Sequence, residues 1–153
     1  MNPLSHLAAY PLNDVSTDVD DPPPLDGRDG APAGGPPMSA ERRKKSRRAY
    51  PDLLGGLTLE RGADPALALA EATARAQPGW SIGRVDRAAG LVTAVAATRL
   101  LRFRDDVTIR VRAAGATSRI DVRSRSRLGR DDLGANARRI RSFLDALRAA
   151  ARR

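Results

Sequence analysis

The clearest pattern in the chain is an alternation of apolar and polar residues in two neighbouring segments, 107–112 and 118–127. Val or Ile stands at 107, 109, 111, 120 and 122, Ser continues the same face at 118, 124 and 126, and mostly Arg or Asp stands at the positions between them. This period of two is typical of β-strands that bury one face. Residues 114–117, which include a Gly, predict the turn between the two strands. We therefore predict a β-hairpin with one apolar face and one arginine-rich face.

The register of this hairpin follows from matching the two faces. Pairing residues whose numbers add up to 231 sets apolar residues opposite each other. It also sets Arg110 opposite Asp121 and Asp106 opposite Arg125, and opposite charges that face each other across two strands stabilise the pairing. A shift by one residue would mix the faces. We predict cross-strand ion pairs in both places.

Two further elements precede this hairpin. Residues 80–86 and 91–98 predict another hairpin, with its turn at 87–90. Asp64 as cap, Pro at the next position and Pro-Gly at 78–79 delimit a helix before it.

A last helix follows the second hairpin, with Asp131 or Asp132 as its cap. Its apolar stripe consists of Leu133, Ala137, Ile140, Leu144 and Leu147. Strands grouped between helices predict an α+β fold, a two-layer sandwich in the order helix, four antiparallel strands in two hairpins, helix. Both helices are expected on one face of the sheet.

Composition and charge divide the chain into two parts. Residues 20–40 are mostly Pro, Gly, Asp and Ala, which cannot bury enough apolar area to offset chain entropy. A basic run follows at 41–49. We therefore predict that residues 1–49 are largely disordered and that residues 50–150 form a single α+β domain. The net charge of +9 is distributed unevenly, because residues 1–40 hold six Asp and one Arg.

Several classes of chemistry lack the residues they need. The chain has no Cys and a single His, His6, so thiol nucleophiles, Ser-His-Asp triads and His or thiolate metal sites are not expected. The acidic residues Asp105, Asp106, Asp131 and Asp132 are accompanied by no base or nucleophile. We predict no catalytic residue, no metal site and no cofactor.

No segment of the sequence is long and apolar enough to predict a membrane span, and the first 20 residues do not resemble a signal peptide. The expected location is cytoplasmic, with membrane association through a partner left open.

Several motifs resemble a known bacterial family, domain of unknown function 1499. They are NDVSTDVDDPP at 13–23, the Gly-Trp step at 79–80, FRDDVTIRV at 103–111 and DVRSRSRLGRDDLGANARRIRSFL at 121–144. The resemblance implies no activity and no catalytic residue. Many members carry membrane-spanning helices ahead of this domain, whereas this chain has no such segment. The match at 13–23 implies a segment that docks on the domain or on a partner, while its composition predicts disorder, and both interpretations stay open.

The arginine-rich face of the second hairpin is the first candidate site. Its members are Arg110, Arg112, Arg119, Arg123, Arg125 and Arg127, with Asp106 and Asp121 among them. The face could bind the anionic groups of a nucleic acid, a lipid or a phosphorylated ligand. Alternatively it is a solvated face that cross-strand ion pairs stabilise.

The second candidate site lies where the last strand meets the last helix. Free N–H groups at a helix start bind anions, and the candidate anion-binding residues are Arg123, Arg125, Arg127, Gly129 and Arg139. The alternative is a structural polar lock, in which hydroxyl and amide groups satisfy the strand-to-helix crossing. Its members are Ser124, Ser126, Asp132 and Asn136.

The sequence therefore favours a non-enzymatic binding or accessory domain, with an anionic group or a protein as partner. The alternative is a nucleic-acid-binding protein that uses the arginine-rich face and the basic run at 41–48. Nucleic acid is less favoured, because aromatic residues for stacking bases are absent from that face.

Overall fold

The computed structural model describes residues 12–25 and 37–153. In chain order the elements are β1 (Asp14–Ser16), α1 (Ala40–Ala49), a short 3-10 helix (Pro51–Leu53), β2 (Leu57–Leu59), α2 (Ala63–Arg75), β3 (Trp80–Asp86), β4 (Leu91–Ala97), β5 (Arg104–Ala114), β6 (Thr117–Ser126) and α3 (Ala135–Ala151).

The strands form one antiparallel sheet, and this confirms the predicted α+β class. Its order is β1-β6-β5-β4-β3, and β2 also pairs with β6, near the beginning of that strand, whereas β1 pairs near its end. The sheet has six strands where we predicted four. The two additional strands are three residues long, which is too short for an alternating pattern to be recognised.

The predicted register of the second hairpin is confirmed. Arg110 lies opposite Asp121 and Asp106 lies opposite Arg125, so partner numbers add up to 231 along the whole of β5 and β6. The first hairpin is formed by β3 and β4, and its pairing shifts between Ile82 and Val85.

The core lies between the sheet and the helices α2 and α3. Helix α2 contacts β3, β4 and β5, α3 contacts β6, β1 and β2, and the two helices contact each other. Ala66, Ala70 and Ala74 of α2 are fully buried, so small side chains let this helix approach the strands closely. Phe143 of α3 stacks on Trp80 with 5.5 Å between the ring centroids.

The basic run that we predicted as part of a disordered segment is helical in the structure. Ser39 caps α1 by accepting a hydrogen bond from the Arg42 N–H at 3.2 Å. Lys45 and Glu41 form an ion pair one turn apart, at 2.8 Å. The buried Tyr50 follows directly after the helix. Residues 12–25 of the predicted disordered segment are also ordered and include β1, whereas residues 1–11 and 26–36 lie outside the described residues.

The last helix begins later than its sequence suggests. Leu133 and Gly134 both have positive φ angles, 51° and 82°, which interrupt a helical path, and α3 starts at Ala135. Leu133 is therefore exposed instead of belonging to the apolar stripe. Helix α2 starts one residue before the predicted cap, so that Asp64 lies in its first turn.

Candidate functional site

The arginine-rich face of the sheet is covered by the N-terminal segment. We call residues 13–23 the acidic segment, and we call the six arginines named above the arginine face. Arg123 is only 1% exposed. Its Nε and Nη2 atoms donate to both carboxylate oxygens of Asp14, at 3.0 and 2.8 Å, and its Nη1 donates to the Pro23 carbonyl at 3.3 Å. The acidic segment thus docks on its own domain.

Asp18 forms a second contact between the acidic segment and the arginine face. One of its carboxylate oxygens lies 3.1 Å from Arg112 Nη2 and 3.4 Å from Arg110 Nη2. Burial opposes ionisation of this carboxyl, but the Asp21 N–H and the nearby guanidinium groups of the arginine face outweigh it and lower the pKa of Asp18. The acidic segment therefore acts as a built-in counter-charge for the arginine face.

The buried Asp121 of β6 forms a further contact between the sheet and the acidic segment. Thr17 Oγ1 donates to it at 2.7 Å and accepts from the Val122 N–H at 3.0 Å. Arg119 Nη2 donates to the same carboxylate at 3.1 Å. Arg110, the predicted partner of Asp121, has its Nη2 3.8 Å from Asp121 Oδ2. Asp121 therefore shares its charge among several arginines.

Asp106 and Arg125 lie opposite each other in the ladder, as predicted, and the ion pair between them stays a prediction. Arg127 also binds the Asp106 carboxylate, with Nε at 3.0 Å and Nη2 at 2.7 Å.

The structure brings the four residues of the predicted polar lock together. Ser124 Oγ donates to Asn136 Oδ1 at 2.6 Å. Asn136 Nδ2 donates to Ser126 Oγ at 2.8 Å and to Asp132 Oδ2 at 2.7 Å. Asn136 is fully buried, and these contacts satisfy its amide.

A buried ion pair extends this network. Arg139 Nη2 lies 2.6 Å from Asp105 Oδ2, and its Nη1 donates to Asn136 Oδ1 at 2.9 Å. Burial raises the pKa of Asp105 above its ordinary value, although the charge of Arg139 counteracts part of this effect.

The amide groups at the start of α3 are bound by carboxylates of the chain. Asp132 accepts from the Gly134 and Asn136 N–H groups at 2.7 and 3.2 Å, and Asp131 accepts from the Leu133 N–H at 3.0 Å. Gly129 uses its carbonyl, which accepts from Asn13 Nδ2 at 2.6 Å. Of the predicted anion-binding arginines, 123, 127 and 139 each pair with an aspartate. Anion binding here stays a prediction.

An apolar cleft lies beside this helix start, between the loop that precedes β5 and the loop that follows β6. Its volume is about 510 Å³, and Asp105, Ser126 and Asp132 contribute to its lining. Five large apolar side chains also line it, and we call them the leucine rim: Leu100, Leu101, Phe103, Leu128 and Leu133.

The leucine rim is unusually exposed. Its five side chains are the large apolar ones that are exposed within residues 12–25 and 37–153, with exposed fractions of 91, 67, 48, 72 and 73% in the order given. Single exposed apolar residues are ordinary, but a contiguous group marks an interaction surface.

The two loops that carry the leucine rim have defined backbone geometry. Thr98 closes the first loop, because its N–H donates to the Phe103 carbonyl and its Oγ1 accepts from the Phe103 N–H, both at 2.8 Å. Arg102 in this loop and Leu133 in the second are the non-glycine residues with positive φ in the described part of the chain. Such strained conformations concentrate at functional sites.

The leucine rim was missed in the sequence reasoning, although a signal for it exists. In the segment TRLLRFR at 98–104, apolar and basic residues are mixed without the alternation of a strand or the period of a helix. An apolar segment between two strands that fits neither pattern indicates exposed apolar side chains.

A family model described as protein of unknown function (DUF1499) matches residues 14–147. The chain belongs to this family. The match includes the acidic segment from Asp14 onwards, the polar lock and both loops of the leucine rim. No curated protein sequence matches the chain.

One solved structure with a similar backbone is the di-domain ARO/CYC BexL from the BE-7585A biosynthetic pathway. The two chains are 16% identical with a TM-score of 0.47, and the match covers 63% of this chain and 44% of that one. This chain therefore corresponds to less than half of that protein, and a similarity of this degree carries no functional inference.

Two features are absent from the described residues. No three acidic or histidine side chains within 12–25 and 37–153 are grouped so that they could hold a metal ion. No helix in the same part of the chain is long and apolar enough to cross a bilayer.

Proposed function

We propose that this protein is a non-enzymatic binding domain and that the cleft with the leucine rim is its binding surface. The observation that carries the proposal is that every large apolar side chain exposed in the described residues lines this one cleft. Burying a leucine side chain contributes roughly 1.5–3 kcal/mol. A partner with an apolar surface would therefore gain substantial binding free energy from this rim.

The polar groups of the cleft support a binding role over a catalytic one. Asp105 is held by Arg139, and Asp132 already accepts hydrogen bonds from two backbone N–H groups and from the Asn136 amide. A general base or nucleophile needs access to substrate and a supporting group, whereas these carboxylates are engaged within the chain. Their contacts hold the walls of the cleft.

The alternative of nucleic-acid binding through the arginine face remains a prediction with less support. Asp14, Asp18 and Asp21 occupy the positions that phosphate groups would take against Arg110, Arg112 and Arg123. Binding of a duplex by this face would require displacement of the acidic segment. Retention on immobilised DNA with a steep dependence on salt concentration would favour the alternative.

A dye that fluoresces in apolar surroundings tests the proposed binding surface. We expect the full chain to bind the dye, and the double variant Leu100→Ser, Leu101→Ser to lose most of the signal. Leu54→Ser serves as a control, since Leu54 is a partly exposed leucine outside the rim. Equal dye binding by the double variant and the parent protein would refute the cleft as the binding surface.

A further inference from the structure

Resting on the proposed function, we propose that the partner of the leucine rim is the surface of an anionic lipid bilayer. The apolar tips would enter the boundary between headgroups and acyl chains, and the arginines of the same loop would contact lipid phosphates. Proteins that lie on a bilayer combine these two contributions, burial of apolar side chains and attraction to anionic lipids.

The charge of the first rim loop supports this partner. Residues 98–104 contain Arg99, Arg102 and Arg104 and no acidic residue. All three arginines are exposed. Among residues 12–25 and 37–153, none of the ion pairs involves them. A bilayer surface with negative charge would supply the counter-charge that these three arginines do not find in an ion pair within the described residues.

The second rim loop, which carries Leu128 and Leu133, adds apolar surface and little negative charge against the arginines of the first loop. Arg130 is accompanied by Asp131 and Asp132, so the loop is close to neutral. The two carboxylates accept hydrogen bonds from N–H groups at the start of α3, where the helix dipole favours them. The rim as a whole therefore carries a positive charge that is concentrated around Leu100 and Leu101.

The shape of the rim favours a deformable partner. Leu100 is 91% exposed, so nearly all of its side chain extends from the loop into solvent. A rigid protein partner would need a matching pocket for it, whereas a bilayer accommodates a projecting side chain without one.

Vesicle flotation tests this inference. The probes are vesicles of phosphatidylcholine alone and vesicles with about 30% phosphatidylserine, which gives a negative surface. We expect the full chain to bind the second kind and to be released by salt. The variant Arg99→Gln, Arg102→Gln, Arg104→Gln should bind about 100-fold more weakly, because each arginine near an anionic surface contributes roughly a factor of five.

A charge-matched control separates the rim from the other basic parts of the chain. The variant Lys44→Gln, Arg48→Gln, Arg153→Gln removes the same charge from exposed positions on α1 and at the C-terminus. We expect it to retain most of the vesicle binding. An equal loss in both triple variants would overturn the assignment to the rim, since the attraction would then depend on overall charge.

The outcomes distinguish failure of this inference from failure of the proposed function. Dye binding at the rim without vesicle binding would overturn the lipid partner and leave the binding surface intact. Equal binding to neutral and anionic vesicles would overturn the role of the arginines. A loss of self-association in Leu100→Ser, Leu101→Ser, with no vesicle binding by the parent chain, would replace the bilayer by a second copy of the protein.

Discussion

The arginine face and the leucine rim are both rich in arginine, but they differ in what surrounds it. On the arginine face, Arg110, Arg112 and Arg123 each contact a carboxylate of the acidic segment. In the first rim loop, Arg99 and Arg102 are exposed beside projecting leucines. The first region uses arginine within the fold, while the second presents it to the outside.

This difference shows why the pI of 11.3 is a poor guide to function here. The counter-charges of Arg112 and Arg123 come from Asp18 and Asp14, which stand 94 and 109 positions earlier in the chain. Only the fold brings them together. A basic region is a candidate for binding anions when its cations lack such internal partners.

The largest expected effect comes from removing the counter-charge of the most deeply buried arginine. Asp14→Ala removes both carboxylate contacts of Arg123, whose side chain is buried at 1% exposure, and leaves its contact with the Pro23 carbonyl in place. We expect the free energy of unfolding to fall by about 3–5 kcal/mol. Urea denaturation measures this loss.

The double variant Asp14→Ala, Arg123→Met is the control for this effect. It removes the buried charge together with its partner, so it should recover much of the lost stability. A double variant as unstable as Asp14→Ala would show that removal of the ion pair, and not the charge left on Arg123, accounts for the lost stability.

The polar lock should show the next largest effect. Asn136→Ala removes hydrogen bonds to Ser124, Ser126 and Asp132 and leaves buried polar groups without partners. We expect a loss of about 2–3 kcal/mol in the free energy of unfolding. Ser142→Ala, at an exposed position of the same helix, should change it by less than about 0.5 kcal/mol. Equal stability of both variants would contradict a structural role for the lock.

A smaller and pH-dependent effect is expected at Asp18. Because the folded-state pKa of Asp18 is lowered, its contribution to stability is present above the unfolded-state value of about 3.9 and disappears as the pH falls through the folded-state value. Asp18→Asn should cost about 1 kcal/mol at pH 6, and the difference from the parent protein should vanish in acid. A difference that stays constant down to pH 2 would show that charge is not the cause.

The sequence predicted the elements with long, regular patterns. The register of β5 and β6 followed from the alternating apolar residues at 107–111 and 120–122 together with the charges of Arg110 and Asp121. Asn136 stood out as a polar residue at a position where the helix stripe is apolar, and its contacts with Ser124 follow from the alternation in β6. Patterns of this kind are local or arise between neighbouring strands.

The parts that were not predicted depend on contacts between distant segments. The acidic segment has the composition of a disordered chain, and its order in the structure rests on Asp14 meeting Arg123 and on the burial of Val15 and Val19. The leucine rim depends on two loops, one on each side of β5 and β6, being brought together at one end of the sheet. Contacts between segments so far apart in the chain, as in the acidic segment and the leucine rim, produce no periodic pattern in the sequence.

Of the regions compared, the leucine rim should contribute least to folding. The double variant Leu100→Ser, Leu101→Ser changes side chains that are 91 and 67% exposed, so its free energy of unfolding should stay within about 0.5 kcal/mol of the parent value. Leu144→Ala in the core should cost about 2–5 kcal/mol in the same urea experiment. A large destabilisation by the double variant would mean that the rim is a structural part of the fold. An unchanged free energy of unfolding together with lost dye binding would instead support a role of these leucines in binding a partner. Exposed apolar side chains that add nothing to folding otherwise bring only a risk of aggregation.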